Sequence, residues 1–472
     1  MAEPTLAQRL GAFAADAADL PGEVTDSVRK RVLDILGIAV AAASLETSRA
    51  ARRWAAEQGG TPEATAIGRP EKLPATQAAF VNGVLAHSLD YDDTHLPSVL
   101  HPSAVVVPAA LAAAEATHAS GAQLETAIAV GLETAVRLGM AGYDQESNNS
   151  VFFEHGQHAT SICGAVGAAV AAARLHGMDA ARTTDVIGVV ASMASGLIEA
   201  NRTGGTVKRM HCGWAAHAAL SAVGLVRHGF TGPPTVLEGR FGFFQAWLHG
   251  VFDASQITDG LGESWAVPGI FFKPYPANHF THAGIDAARR LRAKGVDPAA
   301  IRSIRLGVPR QNLPTVGQPI EVKRAPETGY MAQFSGPYTL VAGLLGGGGL
   351  GVGLDDFTDE LARDPHRRAL MRLVEVEPDE KCTAIFPYQF PAVVTLRLDD
   401  GTELTEEVLV NRGGPGDPLS FDELATKFRD NAGRALPAEA VGALAEAIAG
   451  LHDITDLSAL LEPLREVDAH EL

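Results

Sequence analysis

Along the first part of the chain, to about residue 260, apolar positions recur at helical spacing; Val28, Val32, Ile35 and Leu36 trace one face at i, i+4 and i+7. Many of these segments are alanine-rich. Residues 104–116, 159–172 and 215–226 combine the best helix propensity with little bulk, so the helices they predict can pack closely. After Pro274 the periodicity changes. Residues 304–308, 373–376 and 393–398 predict strands, and Asp400-Gly401 predicts a hairpin turn into residues 403–410, since glycine accepts the positive φ such turns need. The loop 411–416 closes this region, Ser420 and Glu423 form a capping box for a returning helix, and helical spacing resumes to the C-terminus. The expected fold is mainly α: a large all-helical domain built from both chain ends, residues 1–270 and 413–472, with a smaller α+β domain, residues 271–412, inserted between them. A cleft between the two is the expected site. The run Gly346 to Gly349 lacks the Lys-Ser or Lys-Thr pair and the strand-turn-helix setting of a phosphate loop, and it reads as a flexible connection.

Composition narrows the partners. The 472 residues are 46% hydrophobic and carry a formal net charge of -18, a repulsive field for nucleic acid and for anionic membrane surfaces. A small anionic ligand therefore needs a local basic patch. The three cysteines, Cys163, Cys212 and Cys382, are odd in number and form no CxxC pair, which argues against a disulfide framework or a structural zinc site and for a reducing compartment, the cytoplasm. The N-terminus shows no basic and apolar leader, and no apolar run reaches membrane-spanning length, so neither export nor insertion is expected.

Against this apolar background, the segment from His87 to His95, followed by His101-Pro102-Ser103, concentrates the carboxylates of Asp90, Asp92 and Asp93 with three imidazoles. Buried carboxylates are costly unless paired, so such a cluster either braces the fold or moves protons; proton chemistry is the expectation. If residues 76–94 are helical, His87, Asp90 and Thr94 share one face. Asp90-x-Asp92-x-Thr94 has the spacing of an aspartyl-phosphate motif but no strand before it. Asp90, Asp93, His95 and His101 offer metal ligands without the spacing of a known metal motif, so no metal is expected. Four other segments carry polar chemistry. Gly156-Gln157-His158 opens an Ala/Gly helix, whose N-terminus disfavours protonation of His158 and leaves it a candidate base or a simple helix-start histidine. Gly204-Gly205-Thr206-Val207 delivers Lys208 and Arg209, a carboxylate clamp or a solvated basic turn, with His211 following. Lys273 stands in Phe272-Lys273-Pro274-Tyr275-Pro276-Ala277 at the junction with the inserted region, ahead of His279 and His282. Tyr338, in Phe334-Ser335-Gly336-Pro337-Tyr338, is a phenol proton donor or a packed aromatic with its hydroxyl at the surface.

Taken together the five segments resemble the MmgE/PrpD family, which includes 2-methylcitrate dehydratase, cis-aconitate decarboxylase and iminodisuccinate epimerase. The resemblance runs over nearly the whole chain and rests on His87–Thr94, His101–Ser103, Gly156–His158, the run from Lys208 to Gly213 and the run from Lys273 to Ala277. It implies a helical domain with an α+β lid, usually as a homodimer. It also implies active-site positions at Asp90, Thr94, His101, His158, Lys208, Lys273 and Tyr338. The chain departs from the decarboxylase-like members by one extra residue between Thr94 and His101, and by Asn278 where they tend to have a histidine.

The chemistries of that family share one problem: making or quenching a carbanion next to a carboxylate on a small polyanionic acid. Cations must hold the acid while a base moves a proton. The expected catalytic groups are His101, His158, Asp90 and Tyr338, with Asp90 orienting an imidazole; Thr94, Lys208, Arg209 and Lys273 are expected to bind substrate. The expected function is a cofactor-independent lyase that dehydrates a small hydroxy-polycarboxylate of the 2-methylcitrate type. The alternatives are an epimerase of a small dicarboxylate, a cis-aconitate-type decarboxylase, or a non-catalytic ligand-binding homologue.

Overall fold

The computed structural model describes residues 3–200 and 205–467. By its internal contacts the chain divides into two units, Met1–Ile270 with Asn431–Leu472, and Phe271–Asp430. Unit 1 is helical, apart from a two-residue ladder of Tyr143–Asp144 with Asn149–Ser150. Its principal helices are α1 (Gly22–Ala41), α2 (Ala75–Ala86), α3 (Ser103–Thr117), α4 (Gly121–Ala141), α5 (Ala159–Leu175) and α6 (Val207–Arg227). Val28, Val32, Ile35 and Leu36 of α1 are all buried, as their spacing requires.

Small residues set how closely these helices meet, and two glycine contacts position everything that follows. A Cβ on Gly167 of α5 would lie 2.3 Å from the carbonyl oxygen of Gly131 in α4, so those backbones touch. A Cβ on Gly213 of α6 would lie 2.4 Å from the carbonyl of Phe80 in α2. The second contact brings the C-terminal half of α2 against the start of α6. The polar residues that follow α2 and those in the first turns of α6 are thereby held to one place.

Unit 2 carries a four-stranded sheet. Its strands are β1 (Ile301–Val308), β2 (Val374–Pro378), β3 (Ala392–Leu398) and β4 (Glu403–Val408), in the order β2-β1-β3-β4. The first pair is parallel, with Ile304 opposite Val374, and the other two are antiparallel, with Ile304 opposite Leu396 and Val394 opposite Glu406. The β3-β4 hairpin turns at Asp400-Gly401, where Gly401 has φ +85° and Asp400 Oδ1 accepts from the Thr402 amide at 2.8 Å. Helices α7 (His282–Ala293) and α8 (Gly336–Leu345) share the apolar core with Ile304, Leu306, Val394 and Leu396.

The second crossing between units falls at residue 431 rather than at 413. Helix α9 (Phe421–Ala432) is tied to unit 2 by Arg412, whose guanidinium meets Glu423 at 2.6 Å, and by Lys427, which donates to the Lys273 carbonyl at 2.8 Å. The Ser420–Glu423 capping box opens this helix as its sequence suggests. The four-glycine run is a packed loop rather than a loose connection. Asp356 accepts from the amides of Gly348 and Gly353, and a Cβ on Gly347 would fall 1.8 Å from Asp356 Oδ2.

Candidate active site

The expected helix over residues 76–94 ends early, at Ala86, so His87, Asp90 and Thr94 do not share a helical face. The cause is local. Ser88 donates its hydroxyl to the Val84 carbonyl at 2.6 Å, and Asp90 takes a left-handed conformation with φ +52°, which aspartate tolerates better than most residues. The chain from His87 to Pro102 is therefore a buried polar loop between α2 and α3. Its carboxylates have separate tasks.

Asp93 is the brace. Its oxygens accept from the Arg31 guanidinium at 2.6 Å, from the Ser103 amide at 3.2 Å and from the Ser103 hydroxyl. Arg31 in turn donates to the carbonyls of Val267 at 3.1 Å and Ile270 at 2.8 Å. Burial works against both charges, pushing the Asp93 carboxyl up and the Arg31 guanidinium down, and the ion pair with its hydrogen bonds opposes it. His95 is a second structural group, bonded to the Ser98 hydroxyl at 2.7 Å and pushed down to about 4, first by burial and then by Arg31.

Asp92 faces an imidazole, and Asp90 faces an ammonium. Asp92 Oδ2 accepts from His87 Nδ1 at 2.7 Å, with both side chains buried. Asp90 Oδ1 accepts from Lys208 Nζ at 3.2 Å. The expectation named Asp90 as the carboxylate that orients an imidazole; Asp92, against the His87 ring, was not assigned a role.

Four imidazoles converge here. His101 is anchored through its amide to the Thr160 hydroxyl at 3.1 Å, and its Nδ1 donates to the Asp93 carbonyl at 2.6 Å. The Thr94 hydroxyl lies 3.3 Å from the same Nδ1. His158 is the residue just before α5, its amide bonded to the Gly196 carbonyl at 3.0 Å. Its Nδ1 meets His211 Nδ1 at 3.0 Å, so one ring donates and the other accepts. The His87 ring lies 5.4 Å from that of His101 and 5.5 Å from that of His158, centroid to centroid.

This crowding holds protons off. His158 lies well below the usual histidine value of 6.5, chiefly through burial and then through the positive charges of His87, Lys208, His211 and His101. His211 is pushed down to about 4 by burial, His87 and Lys208. The expected direction for His158 was downward from the helix terminus alone; burial is the larger cause.

Lys208 and Arg209 lie in the first turn of α6 rather than ahead of it. Successive helical residues point in different directions, and Arg209 reaches the Thr47 hydroxyl at 3.4 Å while Lys208 reaches Asp90. The two cations do not form a single clamp. Gly204, at the head of the same motif, lies outside the described residues.

The last two expected positions belong to unit 2. Lys273 is 1% exposed near the start of that unit, its carbonyl bonded to Lys427. Tyr338, in the first turn of α8, is fully buried with its hydroxyl donating to the Asp356 carbonyl at 2.5 Å; burial pushes the phenol up to about 12. Its hydroxyl is therefore not at the surface, as the packed-aromatic alternative had it.

Sequence comparison decides the family. The MmgE/PrpD N-terminal domain matches residues 8–254, and the MmgE/PrpD C-terminal domain matches residues 275–453. The chain belongs to the MmgE/PrpD family. It is 30% identical over 463 residues to a cis-aconitate decarboxylase of Homo sapiens, with 94% of this chain and 92% of that protein covered. A cis-aconitate decarboxylase of Mus musculus is 30% identical over 469 residues, covering 94% and 90%, and one of Aspergillus terreus is 26% identical over 471 residues, covering 94% and 92%. Family membership makes this a carboxylate-acting, lyase-type enzyme at the level of the superfamily.

Within this MmgE/PrpD chain, unit 1 brings together Asp90, Thr94, His101, His158 and Lys208. It adds three groups that sequence reasoning did not assign, His87, Asp92 and His211. The signal for the first two was present: Ser88, Asp90, Asp92 and Asp93 are poor helix formers that favour turns, and a turn allows His87 to meet Asp92. His211 sits one helical turn after Lys208 on α6. Among the described residues no group of three or more His, Cys, Asp or Glu side chains is arranged to hold a metal ion, and no helix is long and apolar enough to cross a membrane.

Proposed function

We propose that the unit 1 cluster abstracts a proton from a carbon next to a carboxylate of a small polycarboxylic acid, and that the reaction is dehydration of a hydroxy acid of the 2-methylcitrate type. What supports this reading is His158, buried 3.0 Å from His211 and held below the usual histidine value by burial and neighbouring charge, in a cluster that also holds the ammonium of Lys208. When His158 donates from Nδ1 to His211, its Nε2 bears a lone pair. That lone pair takes the proton, and the C–H electrons form the new double bond as the C–O bond to the leaving hydroxyl breaks. His101, with its Nδ1 proton fixed on the Asp93 carbonyl, exchanges through Nε2 and supplies the proton that lets the hydroxyl depart as water. Lys208 holds the carboxylate whose charge grows as the proton leaves. Thr94 orients His101. Tyr338, whose hydroxyl is already committed to a backbone carbonyl, packs rather than donates.

A second reading is decarboxylation of a cis-aconitate-like acid, favoured by the names of the relatives. It needs an imidazole that delivers a proton to the carbanion left by CO2, and a histidine held below 6.5 is better placed to accept one. A homodimer in the cytoplasm completes the proposal. The three cysteines are buried free thiols, as a reducing compartment allows, and Val207, Met210 and Trp214 expose apolar side chains along one face of α6, where a second copy would cover them.

Proton NMR of the purified protein in D2O with citrate, 2-methylcitrate and cis-aconitate tests the reaction. Loss of the hydroxy acid's signals to an unsaturated acid, with a vinyl proton from citrate or a methyl singlet on a double bond from 2-methylcitrate, supports dehydration. A product that has lost CO2 and gained one deuteron on its remaining carbon skeleton transfers the assignment to the second reading, and uptake without other bond cleavage points to an epimerase. Neither conversion nor exchange with any of the acids sinks the proposal.

A further inference from the structure

Helix α5 begins inside the imidazole cluster, and the hydroxyls of its first turn are spent on other segments. His158 precedes the helix, with Thr160 and Ser161 two and three residues on, and all three are buried. Serine and threonine hydroxyls within a helix commonly bond the backbone of that same helix. Here the Thr160 hydroxyl accepts from the His101 amide at 3.1 Å, in the loop ahead of α3, and the Ser161 hydroxyl donates to the His211 carbonyl at 3.0 Å, in the first turns of α6. The helix start is itself held fast. The His158 amide donates to the Gly196 carbonyl and the Ile198 amide to the Gly156 carbonyl, each at 3.0 Å, and Gln157 pairs with Leu197 between them. A Cβ on Gly196 would lie 3.1 Å from that of His158 and 3.2 Å from that of Ser161, so the two segments lie close together.

We propose that Thr160 and Ser161 are positioning residues for the imidazoles: measured from His158, one hydroxyl sets where His101 stands and the other sets where His211 stands. A hydrogen bond to a residue's own amide or carbonyl acts beside its Cα, so it places the root of the side chain. One further bond then orients each ring, the Nδ1 bond to the Asp93 carbonyl for His101 and the 3.0 Å contact with His158 Nδ1 for His211. Both hydroxyls act through an imidazole rather than on the acid. Reacting groups tolerate little error in placement, and a displacement of about 1 Å can cost about 10²-fold in rate. The consequence for turnover rests on proton transfer by His158 and His101 as proposed above, but the placement of the rings does not.

The test reads Thr160→Val, Thr160→Ser and Ser161→Ala in the full-length protein by histidine-ring 15N NMR without substrate, and by kcat and KM at a temperature well below each variant's melting point. Thr160→Val keeps the shape and removes the acceptor. The His101 ring resonances should shift, and kcat should fall by about 10- to 100-fold with KM within about twofold of wild type. Thr160→Ser keeps the hydroxyl and should restore both. Ser161→Ala should shift the His211 resonances, and those of His158 through their shared hydrogen bond, with a smaller loss of kcat. Thr160→Ala takes the place of Thr160→Val if the latter does not fold. Folded variants that lose stability while ring resonances and kcat stay as in the wild type overturn the proposal, and so does a Thr160→Ser variant that behaves like Thr160→Val. If the wild type converts no acid, the proposed reaction falls, and the ring resonances alone decide whether the two hydroxyls place the imidazoles.

Discussion

Each unit holds a polar network, and the two are built on opposite terms. In unit 2 the signs alternate: Arg289 donates to the Tyr275 hydroxyl at 2.5 Å, Tyr275 donates to Asp286 at 2.5 Å, Arg289 also reaches Asp286 at 3.2 Å, and Arg412 meets Glu423. In unit 1 four imidazoles and one ammonium share Asp90 and Asp92, because Asp93 is already committed to Arg31. Alternating charge satisfies itself and rigidifies a fold. Crowded like charge keeps proton acceptors empty, a state useful to a reaction and costly to a structure. Perturbed, partly unsatisfied groups are where chemistry is expected.

The largest expected effect separates the networks directly. His158→Ala and His101→Ala should each lower turnover by about 10²- to 10⁴-fold, the usual worth of a proton-transfer group, with little change in the urea midpoint. Lys208→Ala should act mainly on KM. Arg289→Ala, in the other network, should do the reverse, lowering the midpoint and sparing kcat. Equal losses of turnover from Arg289 and His158 would erase the distinction.

Asp93 sharpens it within unit 1. Asp93→Ala removes the carboxylate 2.6 Å from the buried Arg31 guanidinium, and breaking a buried ion pair typically costs about 3–5 kcal/mol. Chemical denaturation reads this directly, and a loss under about 1 kcal/mol, the range of exposed pairs, would place Asp93 outside the brace.

The imidazoles also give unit 1 a pH signature. His95 and His211 drop from 6.5 to about 4 on folding, and His158 moves in the same direction. Between those values the unfolded chain binds more protons than the folded one, so stability rises with pH there. It should be level above about 6.5 and fall on acidification toward 4, each group contributing at most about 1.4 kcal/mol per pH unit. Thermal melts from pH 4 to 8 check this, and a melting temperature constant below 6.5 would mean the rings are not buried neutral.

Much of the fold was legible because its signals are local. Alanine-rich helical runs, alternating strands and Asp400-Gly401 each act within a few residues, and the structure has helices and strands at those places. The end of α2 was misplaced because Ala-rich periodicity was carried through Asp90 to Asp93, where side-chain hydrogen bonding to the backbone competes with the helix. The site was legible as residue types at short range: Asp90, Thr94, His101, His158 and Lys208 stand in the five motifs and meet in unit 1. Their partners were not legible. That His211 shares a hydrogen bond with His158 across 53 residues depends on the start of α5 lying against the first turns of α6, where the Ser161 hydroxyl also donates to the His211 carbonyl. No local pattern encodes that contact.

Tyr338 gives the smallest and cleanest test, because sequence alone left it both a proton donor and a packed ring. Its hydroxyl donates to the Asp356 carbonyl at 2.5 Å, and the Arg367 guanidinium lies 5.6 Å from the ring centroid. Burial pushes the phenol up to about 12, so it stays protonated at neutral pH with its hydrogen directed at the backbone. Tyr338→Phe removes one hydrogen bond and leaves one buried carbonyl short of a donor, a change worth about 1 kcal/mol. The ring and its contact with Arg367 remain. A packing role therefore predicts a lower unfolding midpoint with kcat and KM within about twofold of wild type, since loss of a proton-transfer group costs 10²-fold or more. A variant as stable as wild type but more than about 100-fold slower would show that the hydroxyl leaves Asp356 during turnover, and would return Tyr338 to the reacting groups.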